Sequence, residues 1–273
     1  MQTNERERYF SFMKAKKNKI QPTFLLPDKQ SKKFQEYYHH ISIVDFPYFC
    51  SINQYKMKVF KFGGASVKDA GAIKNVASII RSYPGRELVV VFSAMGKTTN
   101  ALEAVALSAY QQKPDLEDKI AVIKDFHQQI LDELFQDADN PVHHLLNGLV
   151  SNIRDYSAMT DFGFDEFYDR IVSFGELIST AIISAWFDET GLKNILIPAP
   201  TVIKTNDHFR NASVLWGKTV ELVKTHINKT FTENPGHIVI TQGFIAGTPD
   251  GKRTTLGREG SDFTASLFAY CLD

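Results

Sequence analysis

From Met57 onward the chain alternates short apolar runs with stretches of helical periodicity, and this alternation restricts the fold more than any other feature. "KVFKF" (58–62), "ELVVVFSA" (87–94), "NILIPAP" (194–200) and "HIVITQGFI" (237–245) are rich in Val, Ile and Phe and run into Gly, Ser or Pro, the marks of strands. Helical patterns lie between them, over about 69–82, 99–112, 115–137, 142–158, 165–188 and 212–231. This order predicts an α/β fold in which a largely parallel sheet is sandwiched by helices, the strands being apolar throughout because both faces are covered. In such sheets the carboxyl ends of the strands are where ligands collect.

Other segments fill in the plan. "PDLEDKIAVIKDFHQQILDELFQD" sets Ile120, Ile123, Ile130 and Leu134 along one helical face, with Pro141 parting it from the next helix, and reads as a structural helical insertion. "GTPDGKRTTLG" carries the Asp-Gly chemistry of a hairpin and leads into "REGSDFTASLFAYCLD", a helix that Ser261 or Asp262 is suited to cap. Residues 1–56 differ: "NERERYFSFMKAKKNK" is basic and without period, and the stretch after it is broken by Pro. They read as an N-terminal extension, disordered or arising from an upstream start choice, since Met57 directly precedes the first strand. The folded unit is expected over 57–273.

Charge narrows the partners. The 31 basic and 31 acidic residues cancel, so no global field would draw the molecule to nucleic acid or an acidic membrane, and small substrates fit better. Cys50 and Cys271 show no paired spacing and no Cys/His cluster has zinc-site spacing, so no protein-held metal is expected and a reducing cytoplasm is the simplest compartment. No run approaches the roughly 20 apolar residues of a membrane span, and no apolar leader ends in a cleavage site.

Four constellations fall where strands end or helices begin. In Lys61-Phe62-Gly63-Gly64-Ala65-Ser66, two glycines let a phosphate approach the main chain and Lys61 adds a positive charge, although Gly-Gly after a strand is also an ordinary turn. "SAMGKTTN" (93–100) resembles a Walker loop, but the glycine that motif needs five residues before Gly96 is Val91. What remains is a hydroxyl-rich loop whose Ser93 and Thr99 suit an anion, or in which Thr99 merely caps a helix. Glu176 sits on the edge of an apolar stripe of Leu177, Ile178, Ala181, Ile182, Ala185 and Trp186. A carboxylate there needs water, a salt bridge from elsewhere in the fold or a substrate ammonium. In "TTLGREGSD" (254–262), glycines flank Arg258, a bidentate fork for carboxylate or phosphate, and Ser261 and Asp262 stand at a helix start. Together these groups suit phosphoryl transfer onto a small amino acid.

In order, "KFGGASV", "SAMGKTTN", "FGELIS", "KTNDHF", "TQGFIAG" and "TTLGREGSDFTA" resemble the motif series of the aspartate kinases, members of the amino-acid kinase superfamily, and the resemblance covers Met57 to Asp273. It implies the amino-acid kinase fold and transfer of the γ-phosphoryl group of ATP, with Mg2+, to the side-chain carboxylate of L-aspartate. That step opens lysine, threonine and methionine synthesis. Carried over by motif, Lys61 would bridge the transferring phosphoryl group, with Gly63, Gly64 and Ser66 lining the phosphate loop. Thr99, Arg258 and Ser261 would hold aspartate, Glu176 its ammonium, Gly243 and Phe244 would wall the substrate, and Asp262 would orient Lys61. A homo-oligomer is implied for full-length members.

The sequence departs from the pattern at two places. It stops at "FAYCLD", whereas family members continue into a nucleotide-binding segment and regulatory ACT domains, so the catalytic domain is expected to be incomplete at its C-terminus and the chain alone to bind nucleotide poorly. Ala246 stands where the family's usual "GFIG" has its second glycine. The alternatives are another amino-acid kinase, acting on glutamate or acetylglutamate, and a non-catalytic fragment that acts by binding or assembly.

Overall fold

The structure, a computed structural model, describes residues 57–273 apart from 84–86, 138, 160 and 162. The expected extension over 1–56 and Cys50 lie outside the described residues. Four parallel strands form the main sheet: β1 (Lys58–Phe62), β2 (Leu88–Phe92), β3 (Asn194–Leu196) and β4 (Ile238–Gln242), in the order β1-β2-β4-β3. Each of the four predicted strands is present.

β2 explains why the sheet is covered on both sides. It is buried at every position. Leu88, Val90 and Phe92 join one core and Val89 and Val91 the other, the alternation a pleated strand imposes. The first core is closed by α1 (Ala70–Ser82), α2 (Thr98–Tyr110), α3 (Leu116–Leu134), α4 (Pro141–Ser157), α5 (Phe164–Val172) and α6 (Phe174–Glu189). The second is closed by the short turn α7 (Ala199–Val202), by α8 (Trp216–Glu233) and by α9 (Gly260–Cys271). The helical insertion is α3 and α4: Ile120, Ile123, Ile130 and Leu134 are all buried, and Asn140 caps α4, its side chain accepting from Val142 N ahead of which Pro141 sits at the first turn. A hairpin of β5 (Ile245–Gly247) and β6 (Arg253–Thr255) follows β4, its turn using Gly251 at φ 93°.

Several expected boundaries move where hydrogen bonding and backbone geometry override the local pattern. The helix expected over 165–188 is two helices meeting at Ser173, whose hydroxyl donates to Arg170 O. Together they make a 26-residue run whose most apolar 18-residue window has a mean hydropathy of 1.3, long and apolar enough to cross a bilayer and absent from the sequence expectation; 67% of that window is buried in the fold, as in a core helix. "HIVITQGFI" is split at Gly243-Phe244, where Phe244 takes φ 63° and the chain leaves the main sheet for β5. "NILIPAP" is strand only to Leu196, after which Ala199 N donates to Gln242 Oε1 and α7 begins. The helix expected from 212 starts at Trp216, because Ala212 N and Leu215 N bond back to Thr255 O and Lys204 O.

The capping assignments also change. Neither Ser261 nor Asp262 caps the last helix: the N-cap is Glu259 in the left-handed region (φ 57°), and Ser261 and Asp262 belong to the first turn. Thr99 does not cap α2 either, since the helix opens at Thr98, whose hydroxyl donates to Met95 O at 2.7 Å.

Candidate active site

The carboxyl ends of β1 and β2, the turn after β4 and the starts of α2 and α9 surround a cleft of 620 Å³. Lys61, Gly64, Ser93, Thr99, Glu176, Phe244, Arg258, Ser261 and Asp262, named from sequence, all line it. Gly63, Ser66 and Gly243 stand behind that lining. Gly63 lies beneath the Lys61 side chain, 3.2 Å from Nζ to where a Cβ would be, and Ser66 sits in a 3-10 turn with its N–H on Gly63 O. Gly243 has a packing reason to be glycine: a Cβ there would lie 2.5 Å from Ser261 Cβ and Oγ.

On the cleft wall, Lys61 Nζ lies 3.1 Å from Asp262 Oδ1, a pair linking β1 to α9. Gly64 brings the first loop against the second, since an added Cβ would meet Ala94 O at 2.7 Å and Gly96 N donates to Gly64 O at 3.0 Å. Behind the second loop, the buried His127 of α3 is held by neutral partners. Its Nδ1 bonds Ile123 O at 2.7 Å, Nε2 lies 3.3 Å from Thr98 Oγ1, and burial pushes its pKa down to about 4.

Glu176 is the unusual group. It is 2% exposed, not on an edge as its place in the stripe suggested. Gly175 allows this depth, because a Cβ there would press on Ala94 Cβ at 2.9 Å. Oε1 accepts from Ala94 N at 3.2 Å, while Oε2 is buried with no partner. No Lys, Arg or His is paired with it among the described residues. Burial pushes its pKa up to about 8, against the opposing backbone hydrogen bond from Ala94.

The remaining wall includes residues that sequence reasoning missed. Asn100 and Glu103 lie on α2, and Glu103 stands four residues from Thr99, the helical spacing that shares a face and a periodicity that was available to read. Tyr168 of α5 donates its hydroxyl to Glu103, and Arg210 stacks over the Tyr168 ring at 4.5 Å while pairing with Asp165 at 3.3 Å. Asp169, fully buried, accepts from Arg210 N (2.9 Å) and Thr255 N (2.8 Å) on Oδ2 and from Thr255 Oγ1 (2.7 Å) on Oδ1. Burial raises its pKa to about 6, although those hydrogen bonds and Arg210 act the other way. No local signal marks Arg210 or Asp169.

Comparison with known proteins agrees with this fold. The chain is 33% identical over 219 residues to Aspartokinase 2, chloroplastic, of Arabidopsis thaliana, covering 78% of this chain and 40% of that protein. It is 33% identical over 215 residues to Lysine-sensitive aspartokinase 3 of Escherichia coli K12, covering 78% and 46%. The crystal structure of E. coli aspartokinase III in complex with lysine and aspartate superposes with a TM-score of 0.73 at 32% identity, over 80% of this chain and 47% of that one. The same enzyme with aspartate and ADP gives 0.71 at 32% identity, over 79% and 47%. The chain thus spans less than half the length of these relatives, and the part it spans resembles their catalytic region. Residues 56–273 match the model of the Amino acid kinase family, and with the parallel sheet and the cleft at its strand ends they place the chain in that family.

Proposed function

We propose that the region spanned by this chain serves an aspartate kinase, transferring the γ-phosphoryl group of ATP to the side-chain carboxylate of L-aspartate to give 4-phospho-L-aspartate. The observation that carries this reading is the buried Glu176, which lines the same cleft as Lys61 and Arg258 and whose Oε2 has no hydrogen-bond partner. A buried carboxyl with no cation beside it is held in its neutral form, and the ammonium of a free amino acid is the partner that would stabilise its ionised form. Arg258 offers the matching fork for a carboxylate. An acetylated amino acid has no cationic nitrogen to give Glu176, so an acetylglutamate acceptor fits less well.

The attacking carboxylate is ionised near neutral pH, so no general base is needed. A carboxylate oxygen forms the new bond to the γ-phosphorus, the bond from phosphorus to the bridging oxygen breaks, and ADP leaves with that electron pair. Lys61 neutralises charge on the equatorial oxygens, Asp262 holds Lys61, and the amides about Gly64 approach the phosphates. Magnesium enters with the nucleotide as part of the co-substrate, held chiefly by phosphate oxygens. A place in lysine, threonine and methionine synthesis and self-association follow from the same likeness, a cytoplasmic compartment from the unpaired cysteine spacing, and all belong to the proposal.

Two measurements test it. Calorimetric titration should show L-aspartate binding in preference to L-glutamate and N-acetyl-L-glutamate, and the aspartyl-hydroxamate assay, run at MgATP concentrations high enough to offset poor nucleotide binding, should yield product. Absence of both binding and product would overturn it.

A further inference from the structure

Asp169 is a buried carboxylate that the phosphoryl-transfer mechanism leaves unused. Its two oxygens take three donors from two segments far away in sequence: Arg210 N, 41 residues on, and Thr255 N and Oγ1, 86 residues on. Both segments border the cleft, Thr255 being the last residue of β6 and three residues before Arg258. They are also pressed together, since Ala212 N donates to Thr255 O at 2.9 Å and a Cβ on Gly257 would lie 2.7 Å from Asn211 Oδ1. Arg210 is held there at φ 65°, a conformation that costs a non-glycine residue free energy and persists only where surroundings enforce it.

The other end of this linkage is Glu176. Asp169 and Glu176 are seven residues apart, two helical turns, on helices that nearly run on: Ser173 N donates to Asp169 O at 3.2 Å and Leu177 N to Ser173 O at 3.3 Å. One helical rod therefore carries the acceptor for an ammonium and the grip on the loop that presents Arg258.

We propose that Asp169 is a positioning residue: it ties the Arg258 loop to the rod bearing Glu176 and so sets the separation at which the cleft reads the carboxylate and the ammonium of an amino acid. This rests on the reading of the cleft as an amino-acid site. A neutral Asn keeps the oxygen that takes the two backbone N–H groups, and its amide is able to donate to Thr255 Oγ1, whereas Ala removes all three bonds.

The test is a cycle with Arg258, read by calorimetric binding of L-aspartate. Asp169→Ala should weaken binding at least about tenfold and Asp169→Asn by less than about threefold. In an Arg258→Gln background, Asp169→Ala should change affinity by less than about twofold, because the group it positions is gone. Wild-type affinity in Asp169→Ala, or a full additive loss beside Arg258→Gln, would overturn the proposal. Should the Ala variant not fold, Thr255→Val removes the hydroxyl bond alone. An approximately threefold loss is then expected, and an unchanged affinity counts against the clamp. Amide exchange without ligand separates this from the choice of substrate. The backbone of 256–260 should exchange about tenfold faster in Asp169→Ala, or by a smaller factor in Thr255→Val, with 98–102 unaffected. If that acceleration appears while wild-type protein binds no L-aspartate, the acceptor assignment fails and the clamp stands. If exchange is unchanged, the clamp fails.

Discussion

Lys61 Nζ stands 3.1 Å from Asp262 Oδ1, so the end of β1 and the first turn of α9 meet through one ion pair on the wall of the cleft. Both side chains retain solvent access, 25% and 64%, which makes the pair a weak structural tie, one that Lys61 would exchange for a phosphoryl oxygen in the proposed mechanism.

Lys61→Ala should therefore lower turnover by about 100-fold or more while changing L-aspartate affinity by less than about threefold. Hydroxamate kinetics and calorimetric binding measure the two effects separately. An unchanged rate would remove Lys61 from the mechanism.

Binding of an amino acid should expel a proton. With Glu176 raised to about 8, its carboxyl is neutral in the free protein at pH 7, and an ammonium partner requires the carboxylate. Apparent affinity should rise with pH up to about 8 and then level off, with most of a proton released at pH 7. Calorimetry in buffers of different ionisation enthalpy reads the proton count directly, and a count near zero would contradict this account.

The same group makes stability depend on pH in the sense opposite to a salt-bridged acid. Its folded pKa lies above the unfolded value, rising from 4.5 to about 8, so the folded state binds the proton more tightly and stability falls as pH rises between those values. Glu176→Gln, which has no proton to lose, should show a smaller fall in Tm between pH 5 and 8 than wild type, while weakening L-aspartate binding about tenfold or more. Parallel Tm curves for the two proteins would show that burial is not what perturbs this carboxyl.

Gly243→Ala should disturb the site from behind. The new methyl would lie 2.5 Å from Ser261 Cβ and 2.8 Å from its Cα, so the start of α9 must shift. A loss of about 1–3 kcal/mol in unfolding free energy is expected, together with weaker L-aspartate binding. Ser261→Gly in the same chain should restore only part of it, since the backbone of residue 261 still crowds the methyl. Full tolerance of the single change would mean that the turn after β4 yields more easily than its close packing indicates.

How much of the molecule could be read from its chain depends on the range of the forces involved. "LVVVF" in β2 announced itself because a parallel strand buried on both faces has no polar side to show, and Asp250-Gly251 announced its hairpin through local turn chemistry. The joint at Ser173 was invisible, since helical periodicity runs through it without interruption. Glu176 was found, but its depth was not, because α6 is buried on nearly every side and its stripe does not mark a water-facing edge. Asp169 escaped altogether: its partners lie 41 and 86 residues away, and nothing near "YDRIV" signals them.

The pairing of β1 with β2 sets Lys61 opposite Val91, with Phe60 and Phe62 opposite Val90 and Phe92. Phe60 and Phe62 pack against the first core and Val59 against the second, so neighbouring side chains on this strand answer to opposite faces. A slip of one residue would drive the lysine into the first core and turn both phenylalanines away from it. The oily demands of the sheet thereby act as an alignment gauge for the chemistry: any misthreaded molecule that disarms the cleft also wrecks its own interior, and so would be eliminated as unfolded chain rather than persist as a well-folded but inert enzyme.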